Sequence, residues 1–149
     1  MIGSICFIML LLFLLLKDST TQVSYMEENF FLKEETFEIG WIHSVEKEQW
    51  FETYKRKNGS LYLVETRFKT FGAGTPSTGE IIRSNDGFVH MKMDMKMDEL
   101  RLAVSENVQT TLYTKTSTVP LYELVKDYET VIFEVKKIPL WLKIRGEHK

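Results

Sequence analysis

The chain of 149 residues is 44% hydrophobic and 27% charged, with a formal net charge of −2 at pH 7. This length suits one ordinary domain, and this hydrophobic content can supply its core. A nearly balanced charge gives no electrostatic basis for binding nucleic acid or an anionic lipid surface. The single cysteine, Cys6, excludes an internal disulfide and a cysteine-based metal site, and we expect no cofactor.

The N-terminal segment is continuously apolar from Ile5 to Leu16, and no residue before Lys17 carries a charged side chain. As a helix, these first residues would span roughly 24 Å, less than the ~30 Å hydrocarbon core of a membrane. No Lys or Arg precedes the apolar run and no Ala-x-Ala site follows it, so we favour an uncleaved or inefficiently cleaved signal-anchor. The predicted organisation is a signal peptide or membrane anchor helix at 1–17, a polar tether at 18–35 and a β-domain at 36–146. We expect the domain to be extracytoplasmic, anchored to the cell membrane or secreted.

Alternation of apolar and polar residues predicts strands from Thr36 onward. The predicted strands are 36–43, 49–56, 61–71, 80–83, 88–97, 100–104, 109–116 and 131–135, with a further candidate at 140–144. Pro120 before Leu121 and Leu124 predicts one short helical turn. Short strands with turn signals about every ten residues predict an all-β domain, either a single antiparallel β-sandwich or a small β-barrel.

The dipeptide Asn58-Gly59 lies between two alternating runs and predicts a two-residue β-hairpin, because both residues tolerate a positive φ angle. Lys57 would then lie opposite Ser60. A constant register beyond this pair predicts three further cross-strand pairs on one face: Tyr54 with Leu63, Glu52 with Glu65, and Trp50 with Arg67.

The preceding hairpin extends this face, because a loop at 44–47 puts His43 beside Glu48. His43, Glu52, Glu65 and Arg67 would then share one aromatic face. Two facing carboxylates repel each other and need compensation. Arg67 could supply it, as could a shared proton or a bound cation with His43 as a further ligand. Two simpler interpretations stay open: an internal salt-bridge network of these four residues, or exposure on a half-solvated sheet.

A glycine-rich loop, Phe71-Gly72-Ala73-Gly74, follows the second strand of the hairpin. Thr75-Pro76 stops any helix there, so a sharp turn is favoured over a phosphate-binding loop. Phe71 could form part of an exposed apolar partner surface. The candidate ligand- or partner-binding residues are therefore His43, Glu52, Glu65, Arg67, Phe71, Gly72 and Gly74, with no metal site assigned.

Two other patterns favour structure over chemistry. His43 and Ser44 would point to opposite faces of a strand, which excludes a direct Ser-His dyad and gives no catalytic residue. The stripe Met91, Met93, Met95 and Met97 with His90 is similar to soft-metal sites, but strand spacing favours an adaptable core face. We therefore expect a protein that is not an enzyme.

Several of these pieces together resemble a known family. They are the run Trp41-Ile42-His43-Ser44-Val45-Glu46-Lys47, then Glu52 and Tyr54, then Leu61-x-Leu63-x-Glu65-Thr66-x-Phe68-x-x-Phe71-Gly72-Ala73-Gly74-x-Pro76. On these residues, the segment from about Phe37 to Val135 resembles the bacterial domain of unknown function (DUF) 1850 family. The chain departs from the usual pattern at Glu48-Gln49-Trp50, where a proline-containing step is common.

The resemblance implies a context and no reaction, because family members are often encoded beside TRAP transporters of the TAXI type. It implies an extracytoplasmic partner of a secondary transporter. The leading hypothesis is a non-enzymatic, membrane-tethered accessory protein that contacts the membrane subunits of a TRAP transporter. The alternative is a small-molecule- or cation-binding β-module that uses the Glu/Glu/His/Arg cluster.

Overall fold

The computed structural model describes residues 16–141, which form eleven strands and one short helix. In chain order these are β1 Lys17–Tyr25, β2 Glu28–Leu32, β3 Thr36–Ile42, β4 Gln49–Lys57, β5 Ser60–Phe68, β6 Glu80–Ile82, β7 Val89–Met97, β8 Glu99–Ala103, β9 Thr111–Tyr113, β10 Thr118–Pro120, α1 Leu121–Leu124 and β11 Thr130–Pro139. The predicted anchor helix falls almost entirely outside the described residues. Within 16–141, no helix has the length and apolar character needed to span a membrane.

The strands form two antiparallel sheets with shared core residues between them. One has the order β2-β1-β11-β8 and the other the order β10-β9-β3-β4-β5-β7-β6. Phe37 of β3 stacks on Phe133 of β11 at 5.2 Å between ring centroids, and on Tyr54 at 5.5 Å. All three rings are buried. The all-β prediction is confirmed, and the described strands form no closed barrel.

The polar tether predicted at 18–35 is wrong, because most of this segment is strand. β1 pairs with β11 along its whole length, and β2 folds back onto β1. Thr20, Thr21 and Val23 are fully buried, and the Thr20 hydroxyl donates a hydrogen bond of 2.9 Å to the Leu32 carbonyl. Threonine suits strands because it is β-branched, and here a local hydrogen bond satisfies its hydroxyl. The domain therefore includes β1 and β2 and begins well before residue 36.

The tight turn at Asn58-Gly59 is confirmed. Both residues have positive φ, 52° at Asn58 and 75° at Gly59, as a type I′ turn requires. Lys57 lies opposite Ser60, as predicted. Local turn chemistry therefore sets the first pairs of the β4–β5 hairpin.

A β-bulge interrupts the same hairpin a few residues later. Tyr54 still pairs with Leu63, but Thr53 pairs with Glu65, so Val64 has no partner on β4. An extra residue of this kind moves every later side chain of its strand to the other face. Beyond Val64, the side chains that face the core are therefore at even positions of β5.

The remaining local predictions are largely confirmed. A short helix at Leu121–Leu124 follows Pro120, which occupies its N-cap position. Met91 and Met93 are buried in the core, whereas Met95 is 51% exposed. The inward methionines therefore fill core space, and the stripe does not continue as one buried face. The candidate strand at 140–144 lies mostly outside the described residues.

Candidate functional site

A cavity of about 360 Å³ lies between the two sheets. Inward side chains of β3 and β4 form one side of it, and Leu102 and Ala103 of β8 form the other. The segment between β8 and β9 contributes Val108 and Thr110, and the glycine-rich loop contributes Gly74. This volume is at the lower end of the range for small-molecule sites, so the cavity suits a small ligand.

Stacked aromatic rings form the side of the cavity supplied by the seven-stranded sheet. Trp41 lies opposite Trp50 in the β3–β4 register, and their rings stack at 5.8 Å. Trp50 also stacks on His43 at 5.3 Å and on Phe68 at 4.8 Å. The indole N–H of Trp50 donates a 2.9 Å hydrogen bond to the Thr66 hydroxyl, which fixes the ring. The aromatic side of the cavity is therefore held in one arrangement before any ligand binds.

Glu52 contributes the carboxylate of the cavity. It lies two residues from Trp50 on β4 and opposite Ile39 of β3, so it faces the interior as predicted. The Tyr54 hydroxyl donates a hydrogen bond to its Oε2. Burial raises the pKa of Glu52, and the hydrogen bond from Tyr54 offsets only part of this rise. Burial and the nearby carboxylate raise the pKa of Tyr54, so its hydroxyl stays protonated and donates.

His43 is oriented by a carboxylate from its own loop. Its Nδ1 contacts Oε2 of Glu46, three residues later, within ion-pair distance. The backbone N–H groups of Val45 and Glu46 donate hydrogen bonds of 3.4 and 3.5 Å to the same nitrogen. Within the described residues, all of these contacts involve Nδ1, which leaves Nε2 as the free ring nitrogen.

The glycine-rich loop closes over this pair. The other oxygen of Glu46, Oε1, accepts a 3.0 Å hydrogen bond from the Ala73 N–H. A Cβ atom on Gly72 would lie 2.2 Å from that oxygen, so the loop approaches Glu46 closely only because residue 72 is glycine. A Cβ on Gly74 would lie 3.9 Å from His43 Nε2. The free nitrogen of His43 therefore faces the loop at the edge of the cavity.

The predicted facing of Glu52 and Glu65 is wrong, because the bulge at Val64 reverses the orientation of the later residues. Glu52 pairs with Thr66, and Arg67 pairs with Phe51 instead of Trp50. Glu65 and Arg67 therefore lie on the outer face of the seven-stranded sheet. The four-residue cluster that the constant register predicted does not form, and only His43 and Glu52 of that cluster line the cavity.

The outer face holds its own charged network. The Arg67 guanidinium pairs with Glu38 at 2.7 Å and lies 4.3 Å from the centroid of the Phe51 ring. His90 lies between two carboxylates, with Nδ1 2.6 Å from Glu65 and Nε2 2.9 Å from Asp86. Burial lowers the pKa of His90, but hydrogen bonds with Asp86 and Glu65 outweigh it, so the net pKa is raised. The negative charge of Glu65 is therefore compensated by His90, and His43 has no part in it.

The other predicted site residues lie near the cavity edge. Phe71 is 61% exposed and contacts Phe68 edge-to-face at 5.2 Å, so its outer side remains available to a partner. In the described part of the chain, no three His, Cys, Asp or Glu side chains come close enough together to hold a metal ion. A cation held jointly by His43, Glu52 and Glu65 is therefore not supported.

Sequence reasoning missed Glu46 and the segment that carries Val108 and Thr110. Glu46 had a usable signal, since it follows His43 by three residues in a short loop. Val108 and Thr110 had none, because only long-range folding brings them to the cavity. The Ile42 N–H donates a 2.7 Å hydrogen bond to the Val108 carbonyl, which ties this segment to the end of β3.

Comparison with known proteins assigns a family. Residues 37–121 match the model of a family described as Domain of unknown function (DUF1850), and this range includes all seven predicted site residues. Searches of curated proteins and of solved structures find no match. Because the matched range covers more than half of the 149 residues, the chain belongs to the DUF1850 family.

Proposed function

We propose that this protein is a small-molecule-binding β-module whose site is the cavity between its two sheets. The observation that supports this proposal is the composition of the cavity: stacked indoles, one half-buried carboxylate and one imidazole around about 360 Å³. Ligand sites combine mostly apolar surface with a few fixed polar groups in this way. Hydrogen bonds already hold the side chains of Trp50 and Glu52 in place, so ligand binding costs little additional side-chain entropy.

Binding is favoured over catalysis by the contacts of Ser44, the hydroxyl residue nearest to His43 in the chain. Ser44 also lines the cavity, but the hydrogen bonds found within residues 16–141 include none between its side chain and the imidazole. A hydrolase of the serine type needs that nucleophile–base contact. His43 instead contacts Glu46, which orients the ring at the cavity edge.

The binding function can be tested with a panel of small cationic, neutral and anionic solutes. Ligand binding should change the fluorescence of Trp41 and Trp50 and raise the melting temperature. The variant Leu102→Trp enlarges a half-buried side chain of the cavity lining and should abolish both responses. Arg101→Trp, whose exposed side chain lies on the opposite face of the same strand, is the matched control and should preserve them. Absence of any response to the panel, or an equal response of Leu102→Trp, would show that the cavity is not a binding site.

We also propose that this module serves, outside the cytoplasm, as a non-enzymatic accessory protein of a TAXI-type TRAP transporter. Two observations support this: membership of the DUF1850 family, and the apolar run from Ile5 to Leu16 at the N-terminus. The exposed ring of Phe71 gives a candidate contact for the membrane subunits.

The accessory role predicts a physical complex. The tagged full chain should co-purify with the TRAP membrane subunits in mild detergent, and Phe71→Ser should reduce their recovery. Ile81→Ser, which also removes an exposed apolar side chain, is the control and should leave recovery unchanged. Repeated purification without these subunits would contradict the accessory role and leave the binding function untouched.

A further inference from the structure

The charges that line the cavity are unbalanced. Its lining includes two ionisable side chains, His43 and Glu52. The imidazole of His43 already contacts the Glu46 carboxylate, so any positive charge on the ring is compensated locally. Glu52 has a hydrogen bond from the neutral Tyr54 hydroxyl, and no Lys or Arg within residues 16–141 forms an ion pair with it. The interior therefore carries a carboxylate without a counter-charge.

This imbalance discriminates between classes of ligand. A buried carboxylate is costly unless it is paired, so a bound cation would remove an existing penalty. An anionic ligand would add repulsion from Glu52, and the lining contributed by residues 16–141 includes no lysine or arginine to offset it. A neutral ligand would leave the charge of Glu52 as it is. Electrostatics alone therefore favours a cation.

The aromatic side of the cavity indicates an organic cation. Trp41 and Trp50 line the same cavity as Glu52, and Trp50 precedes Glu52 by two residues on β4, so both of these side chains project from one face. Indole faces attract ammonium groups more strongly than other aromatic rings do. Ile39, Leu102 and Val108 complete the lining and can contact the hydrocarbon part of a ligand. A bare metal ion would use neither the indoles nor these aliphatic groups.

We propose, on the basis of the proposed binding function, that the cavity binds a small organic ammonium. Its cationic nitrogen lies between the Glu52 carboxylate and the half-buried indole of Trp41. Its hydrocarbon part contacts the aliphatic residues that the four-stranded sheet and the segment before β9 contribute.

Four probes of similar shape test this ligand class by calorimetry at pH 7.5. They are 3,3-dimethylbutylammonium and choline as cations, 3,3-dimethylbutan-1-ol as the neutral analogue and 3,3-dimethylbutanoate as the anion. At least one ammonium should bind tenfold or more tightly than the alcohol, and the acid should be the weakest. Glu52→Gln should reduce the affinity for the ammonium to that for the alcohol, because it keeps the shape and removes the charge. Glu65→Gln, which removes a carboxylate on the opposite face, should leave both affinities unchanged.

The outcomes separate this proposal from the binding function on which it rests. Tighter binding of the alcohol or the acid, lost in Leu102→Trp, would overturn the ammonium proposal and retain the cavity as a binding site. No binding of any of the four probes would also overturn it, while the wider solute panel would still decide the binding function. If Glu52→Gln does not fold, Trp41→Leu replaces it and should weaken ammonium binding more than alcohol binding.

Discussion

Full stability should require glycine at position 72, because the Glu46 carboxylate lies against this residue. The substitution Gly72→Ala tests this directly. An added Cβ would lie 2.2 Å from Oε1 of Glu46 and 2.9 Å from its Cδ, so the carboxylate has to move. The φ angle of Gly72 is not among the positive ones, so the backbone itself tolerates alanine. The cost should come from the contacts that Glu46 loses, namely the hydrogen bond with Ala73 and the contact with His43.

The size of this effect follows from those contacts. A hydrogen bond to a charged group contributes about 1.5–3 kcal/mol. The Glu46 side chain is 22% exposed, so a value near the lower limit applies, with a small addition for the His43 contact. Replacing glycine by alanine reduces the entropy of the unfolded chain and offsets about 0.4–1 kcal/mol. The expected net loss is about 1 kcal/mol, which corresponds to a decrease in melting temperature of about 3–4 °C.

A double-mutant cycle isolates the cause. Urea unfolding, followed by tryptophan fluorescence, gives the free energy of unfolding for wild type, Gly72→Ala, Glu46→Ala and the double variant. In the Glu46→Ala background the obstructing carboxylate is absent, so Gly72→Ala should be neutral or slightly stabilising. An equal loss of about 1 kcal/mol in both backgrounds would refute the reasoning.

Three further substitutions test other parts of the structure. Because the folded-state pKa of Glu52 is raised, its contribution to stability is present below the usual value of 4.5 and is lost as pH rises through the folded pKa. Glu52→Gln should therefore become more stable relative to wild type as pH rises in urea titrations, and a constant difference would contradict this. The folded-state pKa of His90 is raised, so its ion pairs stabilise the fold below the usual value of 6.5, and this stability is lost as pH rises through the folded pKa. His90→Gln should therefore lower the free energy of unfolding more at pH 6 than at alkaline pH. An equal loss at both pH values would contradict a stabilising role of these ion pairs. Gly40→Ala would bring a Cβ to 2.7 Å from the Phe51 ring and should cost about 1–3 kcal/mol in thermal unfolding, but much less in a Phe51→Ala background.

The local elements could be predicted because their signals are short-range. Asn58 and Gly59 supply the positive φ angles of a type I′ turn, and alternation locates the strands on either side of it. The β3–β4 hairpin was also predicted correctly: the His43 N–H donates to the Glu48 carbonyl, and Ile39 lies opposite Glu52. These features depend on residues close together in the chain.

The candidate site was predicted only in part because a constant register was assumed across a bulge. The sequence itself indicates this register shift: Leu61 and Leu63 occupy odd positions, whereas Phe68, which is equally apolar, occupies an even one. All three side chains are buried, which is possible on one strand face only if a residue between them is extra. Val64 is that residue, and it places Glu65 on the outer face.

The sequence by itself determined the strand-rich character of the chain, the hairpin turns and the inward orientation of His43 and Glu52, because turn chemistry and period-two alternation act over a few residues. Tertiary structure decided that β1 pairs with β11, that the glycine-rich loop closes over Glu46, and that Val108 and Thr110 line the cavity. The physical reason is that these contacts join segments whose own side chains permit several partners. The energy of burying a shared core selects one arrangement among them.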